Sequence, residues 1–208
     1  RSFNTDIFVK RNYLTTLKCD ILTNGTDVNV EVKPGFNGEN GKVDGETFAK
    51  VDTVEELMEA IKKGVTNITL DGDINLLSAG TLSTRADDTK NLVIEKELTI
   101  DFAGYTITGA VERKYGVIEN KGTLTVKNGT IESTLENGGS AIWNYGTLTM
   151  TDMTINGAPT NTATGTASYA LNTAGVGSKL VVNNTTINGR GAIGAIEGTK
   201  VEINGGIY

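Results

Sequence analysis

Trp143 and Tyr145 stand two positions apart in this 208-residue chain, and Trp143 is its only tryptophan. In a strand, that spacing sends both rings to one face. Flat aromatic faces stack on sugar rings or anchor a protein partner. The carboxylates, by contrast, are scattered: Glu119, Glu132, Glu136, Glu197 and Glu202 form no cluster along the chain. Asp152 occupies a turn where related segments carry Asn128 and Asn184. One carboxylate in a row of asparagines is not the pair that acid/base hydrolysis needs. Asp71 and Asp73 follow a strand-like segment, where a turn favours Asp on local grounds. Asp87-Asp88 lies in a polar stretch suited at most to weak calcium binding. Arg190, between Gly189 and Gly191, is the best-placed basic residue, and nothing in the sequence pairs it with an acid. No catalytic residue, metal ligand or cofactor is therefore assigned. The chain has no His and a single Cys, Cys19, so a zinc site is not expected.

The elements that carry these residues are legible because the chain repeats itself. GVIENKGTLTVKNGTIES (116–133) returns as SAIWNYGTLTMTDMTING (140–157), with Gly122-Thr123-Leu124-Thr125 and Gly146-Thr147-Leu148-Thr149 24 positions apart. A degenerate copy spans 168–189, and a fragment, GTKVEINGGIY, ends at Tyr208. Each copy reads as three short strands separated by turns. A single copy cannot bury its own apolar side, so the copies must stack as a parallel β-helix. The alignment puts Leu124, Leu148 and Leu180 in one inward row and Ile131, Ile155 and Ile187 in another. It places Asn120, Asn144 and Asn172 at one turn, where stacked amides satisfy the backbone. It sets Trp143 over Glu119 and Tyr145 over Lys121. Those equivalents are charged, so this face is expected to meet water, and Trp143, Tyr145, Glu119 and Lys121 form the candidate ligand-binding group. The competing expectation is that a loop such as 158–167 folds over the rings. Thr123 and Thr125 stack on Thr147 and Thr149, but Lys179 and Val181 end that array after two copies, which argues against ice binding.

Residues 53–63 carry the one strong helix pattern. Thr53 and Glu56 match a capping box, Val54, Leu57, Met58 and Ile61 form an apolar stripe, and Gly64 suits the position after the helix. The spacing predicts a helix that plugs the N-terminal end of the solenoid, with Leu57 and Ile61 buried. Ahead of it, residues 1–33 alternate like a β-hairpin turning at Thr23-Asn24-Gly25-Thr26, and the Gly-rich stretch 34–47 reads as a linker. The solenoid is expected from 48 to 208. A net charge of −6 disfavours nucleic acid as a partner. No apolar run is long enough to span a membrane. The pattern stops at Gly205-Gly206-Ile207-Tyr208, with no polar cap after it, so continuation into further coils or end-to-end self-association is expected.

Two stretches resemble known families. The capped helix followed by NITLDGDI, from Phe48 to Ile74, and the later GTLTV-x-N-x-TI units are similar to right-handed parallel β-helix domains of the pectate-lyase-like superfamily. This resemblance covers roughly 48–208. It implies an all-β, right-handed parallel β-helix with an N-terminal capping α-helix and a preceding β-hairpin. Separately, VKRNYLTTLKCDIL (9–22) followed by VNVEVKP resembles the final strands of fimbrillin-like adhesin domains of Bacteroidales, whose Arg-Asn pair is here Arg11-Asn12. That implies a bacterial cell-surface or outer-membrane-associated protein, with 1–33 the remnant of a sandwich. The leading expectation is a non-enzymatic adhesin or structural β-helix displaying a face to a glycan or to a host or surface protein. The alternative is a polysaccharide lyase or glycoside hydrolase on the same fold. Such enzymes work through clustered Asp with calcium and a basic residue, or through several neighbouring Asp.

Overall fold

The computed structural model describes residues 42–43, 46–76, 91–111, 115–135, 139–158 and 169–208. The chain divides into two compact units, Arg1–Gly35 and Phe36–Tyr208, and every described residue belongs to the second. The expected hairpin at 1–33, Asp87-Asp88, Glu136 and the loop 158–167, apart from Ala158, lie outside the described residues.

The described chain is all-β, with one helix. Its elements run β1 (Lys42–Val43), β2 (Glu46–Val51), α1 (Val54–Lys62), β3 (Asn67–Leu70), β4 (Ile74–Asn75), β5 (Leu92–Ile94), β6 (Glu97–Asp101) and β7 (Thr106–Gly109). They continue with β8 (Gly116–Asn120), β9 (Thr123–Ser133), β10 (Ser140–Asn144), β11 (Thr147–Asn156), β12 (Tyr169–Thr173), β13 (Lys179–Asn188), β14 (Gly191–Ala195) and β15 (Lys200–Ile207). Ten strands form one sheet along the path β1-β2-β3-β6-β9-β11-β13-β15, with β7 joining β4 to β9. Five form a second sheet, β14-β12-β10-β8-β5. Every pairing is parallel except β1 with β2. Each coil lays one strand in the second sheet and then a longer one in the first, so equivalent residues stack coil on coil.

The stacking is driven by aliphatic rows. Leu98, Leu124, Leu148 and Leu180 are in register and buried, as are Ile100, Val126, Met150 and Val182. Ile107, Ile131, Ile155 and Ile187 form a third buried row. The leucine and isoleucine rows expected from the repeats are therefore present. Each buried side chain of this size contributes about 1.5–3 kcal/mol relative to exposure. Sequence-distant neighbours thereby become one continuous core.

Between the leucine and isoleucine rows the long strands bend at a single residue. Asn128, Asp152 and Asn184 occupy this corner with φ of 61°, 53° and 43°. Asn and Asp tolerate the left-handed region better than other side chains that carry a Cβ, which explains the residue types there. The corner side chains also bond to one another: Asn184 Nδ2 donates to Asp152 Oδ1 at 2.6 Å, and Asn128 Nδ2 to Asp101 Oδ1 at 3.0 Å. At the opposite turn the coils approach so closely that a Cβ on Gly146 would lie 2.1 Å from the Gly122 carbonyl oxygen. No side chain fits at that glycine.

The asparagine ladder is shorter than expected. Asn120 Nδ2 donates to Asn144 Oδ1 at 2.8 Å and to the Thr147 carbonyl at 2.9 Å, while its Oδ1 accepts from Gly122 N. Asn144 repeats this with Lys179 O and Gly146 N. The third residue in register is Thr173, and Asn172 pairs with Trp143. The next copy carries a longer turn, Ala174–Ser178, before its β13 strand, so aligning by residue type slipped by one. Alternation then turns Asn172 to the other face.

The helix forms as its signals predict but sits differently. Thr53 Oγ1 accepts from Glu56 N at 3.3 Å, and Glu56 Oε2 accepts from Asp52 N rather than from Thr53. Leu57, Val54 and Ala60 are buried in the core, whereas Ile61 is half-buried. The reason is position. Helix α1 lies between the parallel strands β2 and β3, in the crossover that later coils fill with a strand of the second sheet, and β1 and β2 extend the first sheet beyond it. Ile61 borders a groove shared with Val65, Val93 and Leu98. The linker expected through residue 47 likewise ends in structure, as β1 pairs Lys42 with Thr47 and Val43 with Glu46. The intervening sequence, Asp44-Gly45, is a pair favoured in two-residue hairpin loops.

Candidate functional site

Register on the second sheet sets Val93, Glu119, Trp143, Asn172 and Gly194 in one row across β5, β8, β10, β12 and β14. Alternation sends this row away from the side that carries Ile118, Ile142 and Leu171. Trp143 and Glu119 are direct neighbours, as the repeat alignment required. Tyr145 and Lys121 follow at the turns that leave β10 and β8. The four candidate residues are thus brought together on one face.

The expectation that this face meets water fails for Glu119, which is 3 % exposed. Asn91 Nδ2 donates to its Oε2 at 3.1 Å, and the Lys121 ammonium stands 3.3 Å from its Oε1. A carboxylate out of water requires this kind of compensation. Alternation fixes the face a side chain leaves from. Solvent access depends on what else packs there, here Asn91, itself buried, and the Lys121 ammonium. Trp143 is half-buried and Tyr145 is 39 % exposed. Their rings are parallel within 4°, with centroids 6.2 Å apart. The Trp143 Nε1 is buried and has no acceptor among the described residues. Buried donors are rarely left unpaired, so this one marks a place where a water or ligand oxygen is worth more than on an ordinary surface.

Three further residues belong to this face. Asn91 follows from continuing the register one coil further, since Val93 lies beneath Glu119. Asn172 donates to Ser140 Oγ at 2.6 Å. The ring of Tyr169 lies against the glycines of β14, where a Cβ at Gly191 or Gly194 would come within 2.5 Å of ring carbons. The two glycines under an aromatic residue in the preceding copy were the sequence signal for that contact.

The other acidic and basic candidates are placed elsewhere. Asp71 pairs with Lys50 at 2.7 Å, and Asp73 Oδ1 accepts from Thr106 N at 2.8 Å, so both fasten turns. Asp152 is a corner residue bonded to Asn184. Arg190 is exposed between β13 and β14. Asp101 combines partial burial, which raises a carboxyl pKa, with hydrogen bonds from Asn128, Ala103 N and Lys127, which lower it; the bonds prevail and hold it below the ordinary carboxylate value. Among the described residues, no three His, Cys, Asp or Glu side chains group as metal ligands would.

No family model matches the chain, and neither a search of curated proteins nor one of solved structures finds a match.

Proposed function

We propose that this chain is a non-catalytic, β-helical binding module of a bacterial cell surface, and that the Glu119–Trp143 row with Tyr145 and Lys121 receives a glycan. The observation that carries this reading is the parallel pair Trp143 and Tyr145 beside a charge-compensated carboxylate. Parallel rings supply flat apolar area for the C–H faces of a sugar at low entropic cost, and the neighbouring Lys121 and Asn172 supply hydrogen-bonding groups for its hydroxyls. An ammonium and an amide meet the Glu119 carboxylate, which supports a structural rather than an acid/base role. The surface location rests on the resemblance of residues 9–22 to fimbrillin-like strands. Among the described residues no helix is long and apolar enough to cross a membrane. A net charge of −6 favours a neutral glycan over an acidic one.

A glycan array probed with the wild-type chain and with Trp143→Ala tests this. Binding of neutral oligosaccharides that Trp143→Ala abolishes supports it. An array with no signal, or a signal that survives the substitution, sinks it.

A further inference from the structure

A third aromatic ring lies on the face that carries Trp143 and Tyr145. Gly194 follows Glu119, Trp143 and Asn172 in the outward row of the second sheet. A Cβ on Gly194 would lie 2.5 Å from Cδ2 of Tyr169 and 2.6 Å from Oδ1 of Asn172, and one on Gly191 would lie 2.5 Å from Cδ1 of Tyr169. Carbons on both sides of the Tyr169 ring thus meet β14. The ring leans from its own strand, β12, across the outer surface of β14, where two glycines leave it room. Tyr169 is half-buried, as Trp143 is. Asn172 stands between the two aromatic positions, and its bond to Ser140 Oγ uses only one of its two amide hydrogens. This face runs parallel to the direction in which the coils stack, so a coil laid against either end of the sheet would extend the face rather than cover it.

We propose, resting on the glycan reading of the Trp143 row, that Tyr169 is a second stacking platform and that the ligand is a linear, neutral oligosaccharide of at least three sugar rings, laid across the strands. From β10 to β14 is two strand spacings, about 10 Å. A pyranose in an extended, equatorially linked chain advances by about one strand spacing. A ring stacked on Trp143 and Tyr145 therefore puts the next ring over Asn172 and the third over Tyr169. Successive rings of such a chain turn over, so the first and third present the same kind of face. Both platforms then meet equivalent C–H surfaces. The middle ring meets an amide, which suits its hydroxyls. The Tyr169 ring already rests on the glycine backbone of β14, so it loses little freedom when a sugar covers it.

Isothermal titration of the 208-residue chain with cello-, manno- and N-acetylated chito-oligosaccharides of one to four rings tests this. In at least one series, affinity is expected to rise about tenfold or more between two rings and three. Tyr169→Ala should remove that step and leave the two-ring affinity unchanged. Tyr169→Phe should keep the step, because stacking needs only the ring. Thermal melts report whether each variant is folded; should Tyr169→Ala lose its fold, Tyr169→Leu, which keeps apolar bulk over the glycines without a flat face, takes its place. Trp143→Ala should abolish binding at every length. Binding that depends on Trp143 but shows no step at the third ring, or a step that survives loss of the Tyr169 ring, overturns the second platform and leaves the glycan reading standing. No binding by wild type at any length in any series, or binding indifferent to Trp143→Ala, overturns both.

Discussion

The indole of Trp143 and the phenol ring of Tyr145 lie parallel within 4°, centroids 6.2 Å apart, on successive outward positions at the end of β10. The turn that follows is tightly constrained, since a Cβ at Gly146 would meet the Gly122 carbonyl oxygen. Rings already stacked on each other cost a ligand less ordering entropy than two free side chains. Tyr145→Ala is expected to weaken glycan binding about tenfold while leaving the melting temperature within a few degrees, because the residue is already partly exposed. Isothermal titration with the best array ligand, alongside thermal melts, measures both.

The unpaired Trp143 Nε1 gives a second expectation. Trp143→Phe removes a buried donor whose desolvation costs about 1–3 kcal/mol, offsetting much of the lost ring area. Stability should change by less than about 1 kcal/mol, whereas binding should drop if a ligand oxygen meets that N–H. Urea denaturation showing a loss of several kcal/mol would mean that the indole nitrogen is bonded within the fold.

Asn120 satisfies Gly122 N and Thr147 O with one buried side chain. Asn120→Leu keeps the volume but removes the amide that meets the Thr147 carbonyl, while Gly122 N keeps its bond to the Ile94 carbonyl. At about 1–3 kcal/mol for a buried polar group that loses its partner, the expected loss is about 1–3 kcal/mol. A denaturation midpoint unchanged from wild type would show that water replaces the amide.

Leu57→Ala and Leu148→Ala each empty a fully buried site and should cost roughly 2–5 kcal/mol. Val201→Ala, in the same row as Leu148 but at the open edge, should cost under about 1 kcal/mol in the monomer. Chemical denaturation at low protein concentration separates the two cases. Equal losses at Leu148 and Val201 would contradict the exposure of β15.

Asp101 carries the pH expectation. Its folded pKa lies below the ordinary carboxylate value. Its contribution is therefore fully present above the unfolded value, about 4, and is lost as pH falls through the lower folded value. Asp101→Asn should flatten the decline of stability in that acidic window and leave the slope above about pH 5 unchanged. Urea midpoints for both proteins across this range decide it, and parallel pH profiles would remove Asp101 from the account.

The solenoid follows from the residue pattern alone. Aliphatic residues at fixed offsets in successive copies have only one way to share a core, so Leu124, Leu148 and Leu180 had to stack, and the same offsets put Trp143 beside Glu119. Local chemistry was equally legible at Thr53 and at the corner asparagines, where side-chain type and backbone conformation are coupled within a few residues. Solvent access, and register where turn length changes, depended on long-range packing. Alternation told which face Glu119 leaves from, but Asn91, distant in sequence, closes over its carboxylate. The longer turn after Thr173 displaced Asn172 from the ladder, because hydrogen-bond register follows the strands rather than residue type. Helix α1 showed its caps in sequence, yet its place in the crossover between β2 and β3 depended on β1 and β2 pairing beyond it, a non-local contact that no window of the sequence contains.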